Sequence, residues 1–360
     1  MHKKLALFGL TMLLAGAATA QNMERYVKLN VKAGENIHIE MKGPTDSNVL
    51  ARIVSGSTDV TVEVNGDWPY PGGQNDYLAG ADTLLVYGDI TGLDCEANGE
   101  KITAVDASHN TMIDYLDFCS CDVETLNIQG CTDLWSLYCW ETKLTELDLT
   151  DAPKLSELFC PDNEISVLDL SNCSNLHEVD CSDNNISDLD VSNCPTLFFL
   201  RCYGNNFTTG VIDQIYCDLC DRNEQSPYGL MIVLESAQDS DAEAVMATTK
   251  INATAKNWRV TYEGFEPIPE TTGNFECHEG VGEETASEVV VRLAPNPAND
   301  RVTVSVEASL AGQALEVFDI FGRKVYSQEA RASQEISVSD WANGLYLVKI
   351  GKTTTKLLKQ

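Results

Sequence analysis

The sequence predicts a mainly β protein: a solenoid of about 21-residue repeats with a cap at each end, followed by a separate antiparallel β-sandwich of immunoglobulin-like kind. Three observations predict it. A 21-residue period runs through the middle of the chain, its flanks alternate apolar and polar residues between turn signals, and charge and cysteine content change abruptly near residue 289.

The period is carried by side chains that bury. Cys139, Cys160, Cys181 and Cys202 are spaced 21 apart, and Cys131, Cys173 and Cys194 follow a second series in which Ala152 fills the gap. Leu126, Leu147, Leu168 and Leu189 keep the period, as do Val123, Leu144, Ile165 and Ile186, and Asn163, Asn184 and Asn205. A unit of this kind cannot bury its apolar side alone, but stacked units place equivalent side chains above one another in a continuous core. The cysteines then act as small buried hydrophobes, one strand spacing apart with parallel Cβ vectors, which is poor geometry for a disulfide. The asparagines are expected to bond turn backbone along the stack.

The unit reads L-x-x-L-x-C-x-x-N-x-I-x-x-L-D-L-S-x-C-x-x, a leucine-rich repeat. A two-residue insertion around Asn98–Lys101 carries the pattern upstream, for about five to six units between 79 and 207. With one Leu replaced by Cys, the unit resembles the cysteine-ladder subgroup of internalin-like leucine-rich-repeat surface proteins. That resemblance implies a binding scaffold and leaves the ligand open.

Residues 21–78 alternate at Tyr26–Leu29 and Val60–Val64 and predict a β-rich N-terminal cap. Residues 208–264 predict the closing cap, helical over Asp239–Ala255 and strand-forming over Trp258–Tyr262. Residues 265–288, with seven Glu and no Lys or Arg, have linker composition. Lys3 and Lys4 before the apolar run Leu5–Ala15, then Ala18-Thr19-Ala20, predict a signal peptide over 1–20 and a mature start at Gln21. No later segment reaches the length of apolar residues that a transmembrane helix needs.

Of 360 residues, 55 are acidic and 24 basic, a formal charge of −31 that disfavours nucleic acid and anionic membrane as partners. The repeats hold 24 acids against 4 bases, whereas residues 289–360 hold 9 bases, 7 acids and no Cys. A separate domain begins there, with alternating segments at Arg301–Glu307, Ala314–Ile320, Gln334–Val338 and Gly344–Ile350. Its blocks, Leu293-Ala294-Pro295-Asn296-Pro297-Ala298, Val317–Val325 with Gly322, Gly344-Leu345-Tyr346-Leu347-Val348 and the terminal Lys356-Leu357-Leu358-Lys359-Gln360, resemble the C-terminal sorting domain of the type IX secretion system. The resemblance implies an outer-membrane translocon and a sortase-like peptidase as partners. It also implies release into the medium or attachment at the outer-membrane surface, by way of the periplasm.

Where Leu and Cys of the L-x-C strand point inward, their neighbours point outward. On the L-D-L side the outward residue is nearly constant: Asn127, Asp148, Asp169, Asp190. On the L-x-C side it varies, as Asp117, Tyr138, Phe159, Asp180 and Arg201, flanked by Tyr115, Glu157 and Phe199 on one side and Trp140 and Tyr203 on the other. A constant position suggests a structural role and a varying one suggests recognition. These ten residues form the candidate ligand-binding face, for a host or bacterial surface protein or a glycan. The alternative is that some rings pack against loops or caps.

No metal, cofactor or catalytic residue is expected. The Asp column is read as turn-capping, because no D-x-D-x-D-G loop or G-G-x-G-x-D repeat accompanies it. Cys217-x-x-Cys220 is a single pair where zinc wants two. For Cys217 and Cys220 a cap disulfide or a core thiol, and for Cys277 a free thiol or a pairing with Cys217 or Cys220, stay open, as does the state of Cys119 and Cys121. His38, His109, His177 and His278 stand in no nucleophile motif. The expected function is non-enzymatic surface recognition, in adhesion, host interaction or biofilm cohesion; the alternative is tight binding of one secreted protein as accessory or inhibitor.

Overall fold

The computed structural model describes residues 22–66, 75–277, 291–294, 300–306, 310, 312–319, 323–342, 344–350 and 353–359. The signal-peptide assignment to 1–20, and Pro295, Asn296, Pro297 and Gly322 of the sorting motifs, lie outside them. The chain divides into two compact units, Met1–His278 and Glu279–Gln360.

The first unit opens with β1 (Tyr26–Val31), β2 (Asn36–His38), β3 (Glu40–Lys42), β4 (Val49–Ser55), β5 (Thr58–Val64), β6 (Asp76–Leu78) and β7 (Thr83–Tyr87). The repeats follow as β8 (Gly92–Asp94), β9 (Ile102–Asp106), β10 (Tyr115–Asp117), β11 (Thr125–Asn127), β12 (Ser136–Tyr138), β13 (Glu157–Phe159), β14 (Glu178–Asp180) and β15 (Phe199–Arg201). In β10, β13 and β15 the central Leu is buried and its neighbours are half-exposed, as strand alternation requires. Strands β8, β10, β12, β13, β14 and β15 pair in parallel, Leu116 beside Leu137, Leu137 beside Leu158 and Leu158 beside Val179.

Within the N-terminal segment β2 and β6 pair antiparallel as a small sheet, and other strands of it join the sheets of the repeats. Antiparallel β3 caps β8, and antiparallel β1 pairs β9, so the segment closes the first coil on both sides. Parallel β11 is the last strand on the L-D-L side among the described residues, at the edge of the order β11-β9-β1-β7-β4-β5. The later Leu147-x-Leu149, Leu168-x-Leu170 and Leu189-x-Val191 segments bury their side chains without forming strands.

An asparagine column ties each turn to the coil before it. Asn184 donates from Nδ2 to the Cys160 carbonyl at 2.9 Å, and its Oδ1 accepts the Ile165 N–H at 3.0 Å. Asn163 and Asn205 repeat the arrangement with Cys139 and Leu144, and with Cys181 and Ile186. At the two preceding positions Thr142 donates to the Cys139 carbonyl and the Cys121 thiol to the Cys95 carbonyl. The residue before this column is left-handed in every coil: Ala97, Ser120, Glu141, Asp162, Asp183 and Gly204 all have φ between 51° and 64°. Only at 204 does glycine relieve that cost, and a Cβ there would also collide with the Asp183 carboxylate at 2.1 Å.

The ladder cysteines Cys139, Cys160, Cys181 and Cys202 are fully buried free thiols, as are Cys95, Cys119, Cys121, Cys131, Cys173 and Cys194. Burial drives the thiols of Cys160 and Cys181 well above their ordinary pKa.

The closing cap contains α1 (Thr209–Asp218), β16 (Gly229–Leu234), α2 (Ala242–Met246), α3 (Ile251–Thr254) and β17 (Trp258–Tyr262), and β16 and β17 continue the nine-stranded sheet. Helix α1 was absent from the sequence expectations. Thr208 caps its N–H groups, and Ile212, Ile215 and Tyr216 bury one face. The helix expected over Asp239–Ala255 is two short ones, since the intervening Thr249 gives its N–H to Asp213 and accepts the Phe275 N–H. Gly229 has no alternative residue, because a Cβ would lie 2.2 Å from the Trp258 ring.

The stretch read as linker from Phe265 belongs to the first unit as far as Cys277. Ile268 is buried, Lys250 Nζ donates to the Ile268 and Pro269 carbonyls, and Cys277 is disulfide-bonded to Cys217 with a Cα–Cα distance of 5.4 Å. Acidic composition reported a solvated surface there, and one Ile with a disulfide holds the chain down.

The second unit has β18 (Arg292–Ala294), β19 (Arg301–Ser305), β20 (Ala314–Asp319), β21 (Lys324–Glu329), β22 (Ser333–Ser337), β23 (Gly344–Ile350) and β24 (Thr353–Lys359). They form antiparallel sheets β18-β19-β22 and β21-β20-β23-β24. Val302, Val304 and Ile336 of one sheet share a core with Leu315, Val317, Val348 and Leu357 of the other. Gly344 opens β23; Tyr346 in it is buried and donates its hydroxyl to the Ala342 carbonyl. Lys356, Leu357, Leu358 and Lys359 lie in β24, with Leu357 inside.

Candidate binding face

The outward residues of β8, β10, β12, β13, β14 and β15, with those just beyond them, make three columns on one side of the coils. Parallel register places Asp94, Asp117, Tyr138, Phe159, Asp180 and Arg201 in one, and Tyr115, Ser136, Glu157, Glu178 and Phe199 in the next. Trp140 and Tyr203 follow in the third. All ten expected contact residues except Asp180 are half-exposed.

The central rings form a row. Tyr138 and Phe159 stack with centroids 5.1 Å apart and planes 11° apart, and Tyr115 tilts against Tyr138 at 5.6 Å. Offset stacking between neighbouring strands is favourable beyond area burial. The row is pinned by Glu157, whose Oε2 accepts the Tyr138 hydroxyl at 2.6 Å and the Ser136 hydroxyl at 2.8 Å. Tyr115 gives its hydroxyl to Asp117 at 3.2 Å. Burial, with these carboxylate contacts, raises both phenols above their usual pKa. Among the described residues no ring contact joins Trp140 to the row.

A second group sits at the far end. Arg201 Nη1 lies 2.8 Å from Asp180 Oδ2, its Nε 3.2 Å from Glu263 Oε2, and its guanidinium 5.5 Å from the Phe199 ring centroid. Asp180, only 2% exposed, also accepts the Ser182 hydroxyl at 2.7 Å. It therefore holds Arg201 in place and is not an outward contact. Burial moves the Tyr203 phenol up to about 12.

Residues outside the expected set complete the face. Ser136 orients Glu157, and Glu178, beside Glu157, has its carboxyl raised by burial and by that neighbour. Both occupy the flanking column and were visible from the period; Glu263 lies in the cap and was not. Asp94, Glu96 and Asp117 bring ligand oxygens within 4.8 Å of one another and could hold a cation. Burial moves Asp94 up to about 6.

The constant column behaves differently. Asp148, Asp169 and Asp190 accept their own turns' N–H groups, from Thr150, Ser171 and Ser192, at 2.8 to 3.0 Å. Hydrogen bonding from Thr150 and Ser171 lowers the Asp148 and Asp169 carboxyls. Two hollows of about 230 and 340 Å³ lie on this side, both lined by Leu126 and Asn127.

Comparison with known proteins adds the tail's identity. Residues 292–360 match the secretion system C-terminal sorting domain. The tail marks the chain for type IX secretion. It is therefore a secreted or cell-surface protein, and no described helix is long and apolar enough to cross a membrane. Among solved structures, the functional domain of InlJ from Listeria monocytogenes, described as including a cysteine ladder, is similar at 17% identity and a TM-score of 0.35, over 72% of this chain and 69% of that one. An internalin, InlF, from the same organism is similar at 16% identity and a TM-score of 0.33, over 52% and 62%. No curated protein matches the sequence.

Proposed function

We propose that the first unit is a non-enzymatic recognition module, a leucine-rich-repeat solenoid that binds a protein or glycan of a host or neighbouring bacterial surface through its varying face. The second unit, as an immunoglobulin-like sandwich, is its export label, read by the translocon and removed by a sortase-like peptidase. The observation that carries the reading is the row Tyr115, Tyr138 and Phe159. Three half-exposed rings on consecutive strands, Tyr138 and Phe159 in register and Tyr115 in the neighbouring column, form a preorganised apolar strip, and they pack against one another, leaving their outward surface available. Adhesion or biofilm cohesion is the use this supports.

The test replaces Tyr138 and Phe159 together by Ala. Binding of labelled protein to cell-surface extract should fall at least tenfold, with the melting temperature lowered by only a few degrees. Unchanged binding would defeat the reading, and so would a collapse of stability, which would make the rings core.

A further inference from the structure

Resting on that reading, the charge pattern of the face names the chemistry of its partner: we infer that the ring row receives a cationic protein segment, with apolar side chains on the rings and Lys or Arg side chains on the carboxylates at either end.

The carboxylates bracket the rings. Asp94 and Asp117 precede Tyr138 and Phe159 in their column, while Glu157 and Glu178 lie in the neighbouring column at the level of Phe159 and one strand beyond. From β8 to β14 is four strand spacings, about 19 Å at about 4.8 Å each, the reach of about six residues of extended peptide. The cations on the strands flanking this strip are already engaged: Lys42 of β3 pairs with Asp114 at 3.4 Å, and Arg201 of β15 with Asp180 and Glu263. The outward positions of β8, β10, β12, β13 and β14 contain no Lys or Arg. Among the described residues no Lys or Arg forms an ion pair with Asp94, Asp117, Glu157 or Glu178, so counter-charge beside them is limited to the His177 ring next to Glu178. A partner cation supplies the rest, and half-burial strengthens the attraction relative to open water. A second copy of this chain, at −31, is repelled from such a surface.

The experiment uses the full chain with EDTA present, which keeps divalent cations off Asp94, Glu96 and Asp117. Fluorescence anisotropy follows three labelled probes: a Lys-Leu-Lys-Tyr-Lys-Leu peptide, its counterpart with every Lys replaced by Glu, and chitohexaose as a neutral glycan. The expected result is binding of the Lys peptide alone, weakened at least tenfold between 50 and 300 mM salt on the order expected for screened charges. The isosteric variant Asp94→Asn, Asp117→Asn, Glu178→Gln should lose at least fivefold at low salt without a lowered melting temperature. Should that variant misfold, the salt dependence and the Glu peptide decide on the unaltered protein. Equal binding of the Glu peptide, or salt-independent binding of chitohexaose that Tyr138→Ala abolishes, would overturn the cationic partner and leave the face intact. Binding that Tyr138→Ala and the carboxylate variant both leave unchanged would overturn the cationic site. It would show the probe bound elsewhere, and the cell-surface assay would then judge the face by itself.

Discussion

Replacing Asn184 by Ala removes one rung of the asparagine column, and the structure sets its cost. The Ile165 N–H loses its acceptor at 3.0 Å and has no other partner among the described residues, while the Cys160 carbonyl loses its shorter donor at 2.9 Å but keeps Asn163 at 3.3 Å. A buried N–H left unpaired costs about 1–3 kcal/mol, and each lost donor contact a further 0.5–1.5 kcal/mol or so. The sum is about 2–4 kcal/mol, a shift of about 1 M in the urea midpoint if the slope is about 3 kcal/mol per M. Asn184→Thr should lose about half as much, because Thr142 occupies the same column and donates to its own turn's Cys139 carbonyl. The adjacent exposed Asn185→Ala should stay within about 0.5 kcal/mol of the parent. Urea unfolding followed by circular dichroism measures all three. If Asn184→Ala matched Asn185→Ala, the column would not be what locks the coils together.

Two further predictions concern titration. A thiol reagent should leave the ten buried cysteines unreacted in the native protein, reach eleven thiols in denaturant, and reach thirteen only after reduction of Cys217–Cys277; rapid reaction of several native thiols would refute the buried ladder. Burial brings Asp94 and Asp183 up to about 6, with Asp162 also acting on Asp183. Since an unfolded Asp titrates near about 3.9, the folded state binds more protons between about pH 4 and 6, and stability falls as pH rises through that window. The melting temperature should be higher at pH 5 than at pH 7.5, by a margin that shrinks in Asp94→Asn, Asp183→Asn. A margin unchanged in that variant would show that other groups set it.

The 21-residue period made the interior legible because burial repeats with it: Leu137, Leu158, Val179 and Leu200 stand in register, and their outward neighbours fall into columns. The same period appears on the L-D-L side, yet among the described residues only β9 and β11 pair in parallel there. Periodicity reports which side chains bury, whereas strand pairing also needs backbones at ladder spacing. The burial of Asp180 was hidden because its cover, Arg201, is held by Glu263 from a cap outside the repeat. Likewise three cysteines, Cys217, Cys220 and Cys277, offered more than one pairing, and only the packing of Ile268 and Lys250 brings Cys277 to Cys217. Thr249 interrupted the expected helix through contacts with Asp213 and Phe275 that lie far away in sequence.

The face itself is tested most directly by a photo-crosslinking residue in the full chain, placed at Tyr138 and, as control, at exposed Asn193. After irradiation on its target surface, the chain carrying the crosslinker at 138 should capture a partner and the chain carrying it at 193 should not. Capture from 193 with none from 138 would place recognition elsewhere on the molecule and contradict the account.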